Sequence, residues 1–492
     1  MAMSPISRRQ FVRGAVATAA TLAIPACKSV PKTPARGPND EIRAAVIGLH
    51  GQGRSHVESL RRLPNVRVVA LCDVDTAVLG AEQEKFGKRN ESVDTVIDVR
   101  RLLDRKDVDV VSIATPNHWH ALMAIWACQA GKDVYVEKPV SHNVWEGRQI
   151  VKAAERYGRI VQAGTQSRSS EGIAEAIAWV RGGNLGAIRV ARGLCYKPRP
   201  SIGKVASDLA PPPTVDYDLW IGPAPMKPLH RKSLHYDWHW VFDTGNGDLG
   251  NQGIHQMDIA RWALGEGALA PRVMSVGGRF GYDDDGDTPN TQFVFHDYPA
   301  APLVFEVRGL PASKAAQEGG WNSGKMDKID GVSVGVVIEC EGGRLVVPDY
   351  TQATALDREG KAMKTWKGAT DHFANFIAAV RSRRAEDLRG RIEEGHVSSA
   401  LCHTGNVSYR LGARRPAGEI REEIRGTAAA SETFERMRAH LAANGVDLDA
   451  TPAVLGPWLE MDPASERFVR DDAANAMLTR EYRAPYVVPE RV

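Results

Sequence analysis

Cysteine is scarce in this chain. Its 492 residues include six, and the five after Cys27 (Cys72, Cys128, Cys195, Cys340 and Cys402) are widely spaced and odd in number. No C-x-x-C pair occurs, which excludes a disulfide framework and a thiolate zinc site as organising features. Long apolar runs are missing too. The best candidate, Ala15 to Ala26, is too short and too weakly apolar for a lasting membrane span. Basic blocks are absent beyond the N-terminus, and a net charge of +3 is spread thinly, so nucleic acid is not an expected partner. There is no coiled-coil seam, tandem repeat or low-complexity tract. What remains is an ordinary globular composition, 43% hydrophobic and 25% charged, long enough for two or three domains.

The first 40 residues read as address and tether. Ser7-Arg8-Arg9-Gln10-Phe11-Val12 precedes the apolar stretch as in a twin-arginine export signal, residues 1–27. Ile24-Pro25-Ala26-Cys27 resembles a lipoprotein cleavage box, so a lipidated Cys27 is a possible membrane attachment. Residues 28–40 are a Pro-, Lys- and Gly-rich linker. The expected location is the periplasm or cell envelope, with the twin-arginine translocase as partner in transit. That route carries folded proteins, which fits the scarcity of cysteine and lets a bound nucleotide travel with the chain.

From Ile42 to Asp75 the order is strand, glycine-rich turn, helix, strand, acid. Ala44 to Ile47 is apolar, Gly48, Gly51 and Gly53 follow, and Val66 to Leu71 leads to Asp73. This is the opening of a dinucleotide-binding Rossmann domain, expected over residues 41–163. Glycines let the backbone approach a pyrophosphate, and the helix start offers free N–H groups. The third position of the fingerprint is His50 instead of glycine. Asp73, 25 residues after Gly48, suits a ribose hydroxyl and repels an extra phosphate, so NAD is expected over NADP. Two further strands end in Thr115-Pro116-Asn117-His118-Trp119-His120 and Glu137-Lys138-Pro139, at the sheet edge where such folds bind ligands.

These features together resemble the glucose–fructose oxidoreductase and inositol dehydrogenase family (Gfo/Idh/MocA), over roughly residues 42 to 412. The resemblance implies that Lys138 sits between nicotinamide and sugar, and that NAD or NADP serves a reaction on a cyclic polyol or sugar. The cofactor set expected from turn and strand ends is Gly48, His50, Gly51, Gln52, Gly53, Asp73, Thr115, Pro116, Asn117, His120, Glu137 and Lys138.

Residues 164–412 form the expected substrate and oligomerisation domain. Runs of strands from Val273 onward, without intervening helices, predict an α+β domain with a large, mostly antiparallel open sheet. Before it lies a dense aromatic cluster, His235-Tyr236-Asp237-Trp238-His239-Trp240, suited to a sugar platform. A helix is expected over Asn251 to Leu264, with Asn251, His255 and Asp258 near one face. The family resemblance makes His255 the proton acceptor. It also expects an aspartate where Asn251 stands, and asparagine orients a hydroxyl but takes no proton. The expected substrate contacts are Lys138, Tyr196, His235, Trp238, His239, Trp240, Asn251, His255 and Asp258. The His235, His239, His255 and Asp258 spacing matches no compact zinc motif, so no metal is expected. Residues 413–492 are too apolar for a free linker and are expected to pack on the body or on another subunit of a homo-oligomer.

Three functions follow. The first is an NAD(P)-dependent oxidoreductase on a sugar, polyol or derivative, with tightly held cofactor, Lys138 and His255 catalytic and Asn251 assisting. The alternative is an NAD-dependent glycoside hydrolase that oxidises, eliminates, hydrates and re-reduces its sugar. It gains weight from export, because free NAD is scarce outside the cytoplasm and a net dehydrogenase would stall. The turn Gly48-Leu49-His50-Gly51-Gln52 also resembles that of those hydrolases. A non-catalytic nucleotide-bound sugar sensor is the third.

Overall fold

The computed structural model describes residues 35–37 and 39–492. The twin-arginine segment, Cys27 and most of the linker lie outside the described residues.

Six short parallel strands open the fold: β1 (Ile42–Ile47), β2 (Val66–Cys72), β3 (Asp94–Val96), β4 (Val110–Ile113), β5 (Asp133–Val136) and β6 (Val161–Ala163), in the order β3-β2-β1-β4-β5-β6. The central strands are apolar on both faces because helices cover both faces of such a sheet. Helix α1 (Gln52–Arg61) follows β1, α2 (Asn117–Gln129) follows β4, and α3 (Val144–Tyr157) follows β5. α2 is buried almost all round, consistent with a mixed face of Ala, Leu, Met and Trp.

A second sheet of 12 strands follows. Its main path is β14-β13-β12-β11-β7-β10-β9-β8-β16-β15. The central members are β7 (Ile188–Tyr196), β8 (Arg272–Gly278), β9 (Thr291–His296), β10 (Leu303–Arg308), β11 (Val334–Cys340) and β12 (Gly343–Val347). β13 (Gln352–Asp357) and β14 (Ala362–Lys367) extend one edge, and β15 (Ala413–Arg415) and β16 (Ala453–Leu455) extend the other. Pairing is antiparallel except that β7 and β10 run parallel. β13 and β14 escape sequence reading because β14 is exposed except at Trp366, leaving no buried face to see.

Helices α4 (Glu171–Arg181), α5 (Ile254–Leu264) and α7 (Ile392–Leu411) pack their apolar stripes on one face of this sheet. α6 (His372–Ser382) instead joins the core under the nucleotide sheet through Phe373, Phe376 and Ile377. The other face of β8 to β10 is roofed by α8 (Ala417–Ile424) and α9 (Ala428–Ala443), with Ile420, Phe434 and Leu441 fully buried against Met274, Phe293 and Phe295. The chain's last residues cross back: Tyr486, Val488 and Val492 join the core of the nucleotide domain, and Tyr486 meets Trp119 edge-on at 5.4 Å.

Candidate active site

Strand register builds the site. β1 pairs Ile47 with Cys72 on one side and Ile113 on the other, and Ile113 pairs with Val136. Four carboxyl ends are therefore level, and Gly48, Asp73, Ala114 and Glu137 leave the sheet together. Gly48 has φ +80, and a Cβ there would meet the Ala114 carbonyl at 2.7 Å. A Cβ on Gly53 would lie 1.8 Å from the Gly48 oxygen, so this turn closes onto α1 only with glycine at both places. α1 has no side-chain cap; the Gly53 N–H donates to the His50 carbonyl at 2.8 Å, and the rest of the helix start is left for an anion. Asp73 accepts from the Leu49 N–H (2.8 Å) and the Asp75 N–H (3.0 Å). Burial raises its pKa against those two donors.

A pocket of about 340 Å³ lies over this edge. Gly48, His50, Gly51, Gln52, Asp73, Thr115, Pro116, Asn117, His120, Glu137 and Lys138 line one side, and His235, Trp238, His239 and Asn251 line the other. The second wall is a long strap between β7 and α5. Its Thr214 carbonyl accepts from Thr76 N–H, and its Asp216 N–H donates to Val74, both at 2.9 Å. His235 Nε2 lies 2.9 Å from Asp75, and its ring stacks on His50 at 4.0 Å. Burial, then the neighbouring His235, pulls His50 down to about 4. His50, Asp75 and His235 have ligand-type atoms within 4.8 Å of one another, the makeup of a metal site. The hydrogen bond and ring stack already account for their arrangement as a latch. Deeper in the strap His239 stacks on Trp238 at 3.6 Å.

Glu137 and Lys138 occupy the centre. His56, buried on α1, places Nε2 3.0 Å from Glu137 and Nδ1 2.8 Å from Ser112 Oγ. Burial alone would raise the Glu137 carboxyl, but the His56 hydrogen bond and the Lys138 charge outweigh it and hold it below the carboxylate range. Lys138 Nζ lies 3.8 Å from Glu137 and donates to the Asn251 backbone carbonyl at 3.1 Å. That carbonyl is available because Leu249–Gly253 form a π-helical turn, with the regular helix starting at Ile254. The expected unbroken helix from Asn251 is thus opened at its start, a feature common at working sites. The Asn251 amide faces Asp248 instead, at 3.4 Å.

His255 stands one turn further on. It is 6% exposed and, among the described residues, neither ring nitrogen has a hydrogen-bond partner. Burial, reinforced by the Lys138 charge, lowers it to about 3, so the ring is neutral near pH 7. Tyr350, beyond β12, covers it at a ring distance of 5.0 Å.

Two family models match the chain: the oxidoreductase family NAD-binding Rossmann fold over residues 42–165, and the same family's C-terminal alpha/beta domain over residues 190–290. Over these two segments the chain matches the Gfo/Idh/MocA oxidoreductase family. Curated relatives include a glycosyl hydrolase family 109 protein 2 of Shewanella sp. (strain ANA-3), 34% identical over 172 residues, 31% of this chain and 38% of the relative. A glycosyl hydrolase family 109 protein of Shewanella baltica (strain OS185) is 37% identical over 174 residues, with the same shares. The chain thus spans under two-fifths of the length of these relatives. Among solved structures, a WlbA dehydrogenase from Chromobacterium violaceum, in complex with NADH and UDP-GlcNAcA, has a TM-score of 0.56 at 17% identity, covering 77% of this chain and 96% of that one. An oxidoreductase domain protein from Kribbella flavida has a TM-score of 0.54 at 20% identity, covering 75% and 96%. At such identities these two share the fold.

Within this site three expected substrate contacts are displaced. Tyr196 is fully buried on the opposite face of β7, where its hydroxyl donates to Glu306 at 2.7 Å. Strand alternation sends it away from the pocket. Trp240 is 5% exposed, behind the pocket wall and beside the Arg199 guanidinium at 5.0 Å. Asp258 is 1% exposed and is consumed by Arg168 (2.8 Å) and Ser398 (2.7 Å). It lies three residues beyond His255, which turns it toward α7. His120 lines the pocket, but its ring is pinned between the carbonyls of Thr115 and Pro139. Sequence reading missed His56, Gln252, Lys197 and Tyr350. His56, four residues after Gln52 on α1, carried a detectable signal. The others come together only through the large sheet.

Proposed function

We propose that this chain is an exported, NAD-holding glycoside hydrolase that oxidises its sugar transiently and returns the hydride, so that no net redox change occurs. The observation that carries this reading is the likeness of about a third of the chain to glycosyl hydrolase family 109 proteins. The pocket agrees with it: the uncapped α1 start suits a pyrophosphate, the Asp73 carboxylate retains lone pairs for ribose hydroxyls, and the strap walls the side of the pocket opposite them. A catalyst that regenerates its own cofactor gains from such enclosure. Export rests on Arg8 and Arg9 and attachment on Cys27; fractionation of cells carrying Arg8→Lys with Arg9→Lys tests it.

The chemistry NAD supplies when bound is reversible hydride acceptance. Lys138 donates to the oxygen of the reacting hydroxyl and stabilises charge as a carbonyl forms. The neutral, unpartnered His255 ring receives the hydroxyl proton. The Asn251 carbonyl fixes Lys138, and Glu137, fixed by His56, keeps the local charge balanced. With a carbonyl on the ring, the adjacent C–H is acidic; its proton ends on the departing aglycone oxygen, so the aglycone leaves as its alcohol and a ring double bond forms. Water then adds across that bond, OH to the carbon that lost the aglycone and H to its neighbour, and His255 and Lys138 act in reverse.

The test is mass and absorbance analysis of the purified protein for retained nucleotide, followed by aryl glycosides without added NAD. Many turnovers of cleavage with no accumulation of reduced cofactor is the expected result. A single stoichiometric burst of NADH with a free sugar, restarted by a carbonyl acceptor, would favour the net oxidoreductase. That second reading keeps weight from Glu137-Lys138-Pro139, the motif it shares with the dehydrogenases.

A further inference from the structure

Beside the pocket, bonded to the residue that follows the lining residue Asn251, stands a lysine that forms no ion pair among the described residues. Lys197 follows β7 directly and is partly buried. Its Nζ donates to Gln252 Oε1 at 3.1 Å, and it forms no ion pair among the described residues. Gln252 in turn donates to the Tyr350 hydroxyl at 2.7 Å, so the ammonium is held in one place beside the ring that covers His255. Arg199, two residues on, is matched by Asp248 at 2.7 and 2.8 Å. Lys138 is matched by Glu137 at 3.8 Å. Three cations therefore face two carboxylates, and the unmatched charge belongs to Lys197.

Such a charge is costly to keep. A partly buried ammonium loses hydration, and one amide oxygen returns little of it. Burial, and then Arg199, pulls Lys197 below the usual lysine range. The charge is kept at least expense where a ligand brings the missing anion. Neutral sugar hydroxyls would leave the imbalance in place.

We infer that the sugar filling this chamber carries an acidic substituent, a carboxylate or a sulfate, and that Lys197, positioned by Gln252, holds it. The inference rests on the carbohydrate reading of the pocket, but not on hydrolysis. It makes Lys197 the residue that selects charged sugars over their neutral parents.

Calorimetric titration of the nucleotide-loaded protein tests it, with glucuronate, galacturonate and galactose 6-sulfate compared with glucose and galactose. An acidic sugar should bind about tenfold or more tightly than its neutral parent, the scale of one charge-assisted hydrogen bond. Uronate against sulfate distinguishes the two anions. Lys197→Met should erase the preference, and Lys197→Arg should keep most of it, with the melting midpoint of each variant confirming that it folds. Equal binding of acidic and neutral sugars, a preference that survives Lys197→Met, or no binding of any acidic sugar overturns the inference. Acid-selective binding without cleavage of aryl glycosides would refute the hydrolase reading and leave this one intact. Cleavage of neutral glycosides with no acid preference would do the reverse.

Discussion

The two halves of the pocket treat charge in opposite ways. On the nucleotide side every acid has partners: Asp73 takes two backbone N–H groups, Asp75 takes His235, and Glu137 takes His56. On the substrate side, among the described residues, His255 has no hydrogen-bond partner and Lys197 has no counter-ion. The first half is a finished mould for a cofactor of fixed shape. The second is incomplete without its ligand, and its unmet polar groups mark where binding energy is available for catalysis. Asp258 belongs to the first kind although it sits on the helix of the second, because Arg168 and Ser398 satisfy it.

That contrast can be broken by substitution. The largest effect is expected at Asp258→Ala, which leaves the buried Arg168 with Glu394 alone at 3.1 Å and should cost about 3 kcal/mol of stability in denaturant titration. An activity loss at unchanged stability would instead return Asp258 to the site. Lys138→Met should lower turnover about 10³-fold, with nucleotide retained and the melting midpoint little changed. His255→Asn should lower it about 10²-fold. Because His255 is neutral down to about 3, the pH profile of kcat/KM for the free enzyme should show no loss from this group between pH 7 and 5. An acid limb near 6 that disappears in His255→Asn would contradict this.

A pH dependence of stability is shared among several buried groups away from the pocket. Burial lowers His118, His296 and His403 to about 3 from an ordinary 6.5. Below 6.5 the unfolded chain binds protons that the folded chain refuses. Their neutral burial therefore costs nothing above that pH and becomes destabilising as pH falls toward 3. Each contributes up to about 1.4 kcal/mol per pH unit. Glu466 acts lower down. Burial works against its charge, but His396 and Arg148 hold it at about 2. Its contribution is present above its ordinary 4.5 and is lost as pH falls from there toward 2. Thermal melts across pH 8 to 4 measure the histidine slope, and Glu466→Gln should flatten the profile only below about 4.5.

Particular residues show how far sequence carries. Gly48, Gly53 and Asp73 were legible because a turn, a helix start and an acid at the next strand end are fixed by short-range geometry. Lys138 was legible because Glu-Lys-Pro ends a strand whose edge binds ligands. Tyr196 was misread because the face of β7 that meets the pocket is set by pairing with β10 and β11, which come more than 100 residues later. Trp240 and Asp258 were misread for a related reason: short spacing to a site residue does not state which neighbour will claim a side chain. The strap also could not be read, since its bridges join Asp75 to Val215 and Asp75 to His235 across long loops.

The sequence by itself determined the nucleotide turn, the alternation that makes a parallel sheet, the motif at Lys138 and the histidine at 255, since each depends on residues within a few turns or one strand of each other. Only the tertiary structure decided that the pocket is enclosed, that Asn251 offers its carbonyl through a π turn, and that Lys197 is left without a counter-ion. Those features are set by which distant groups meet first and satisfy one another, and the ones left over define what the pocket asks of its substrate.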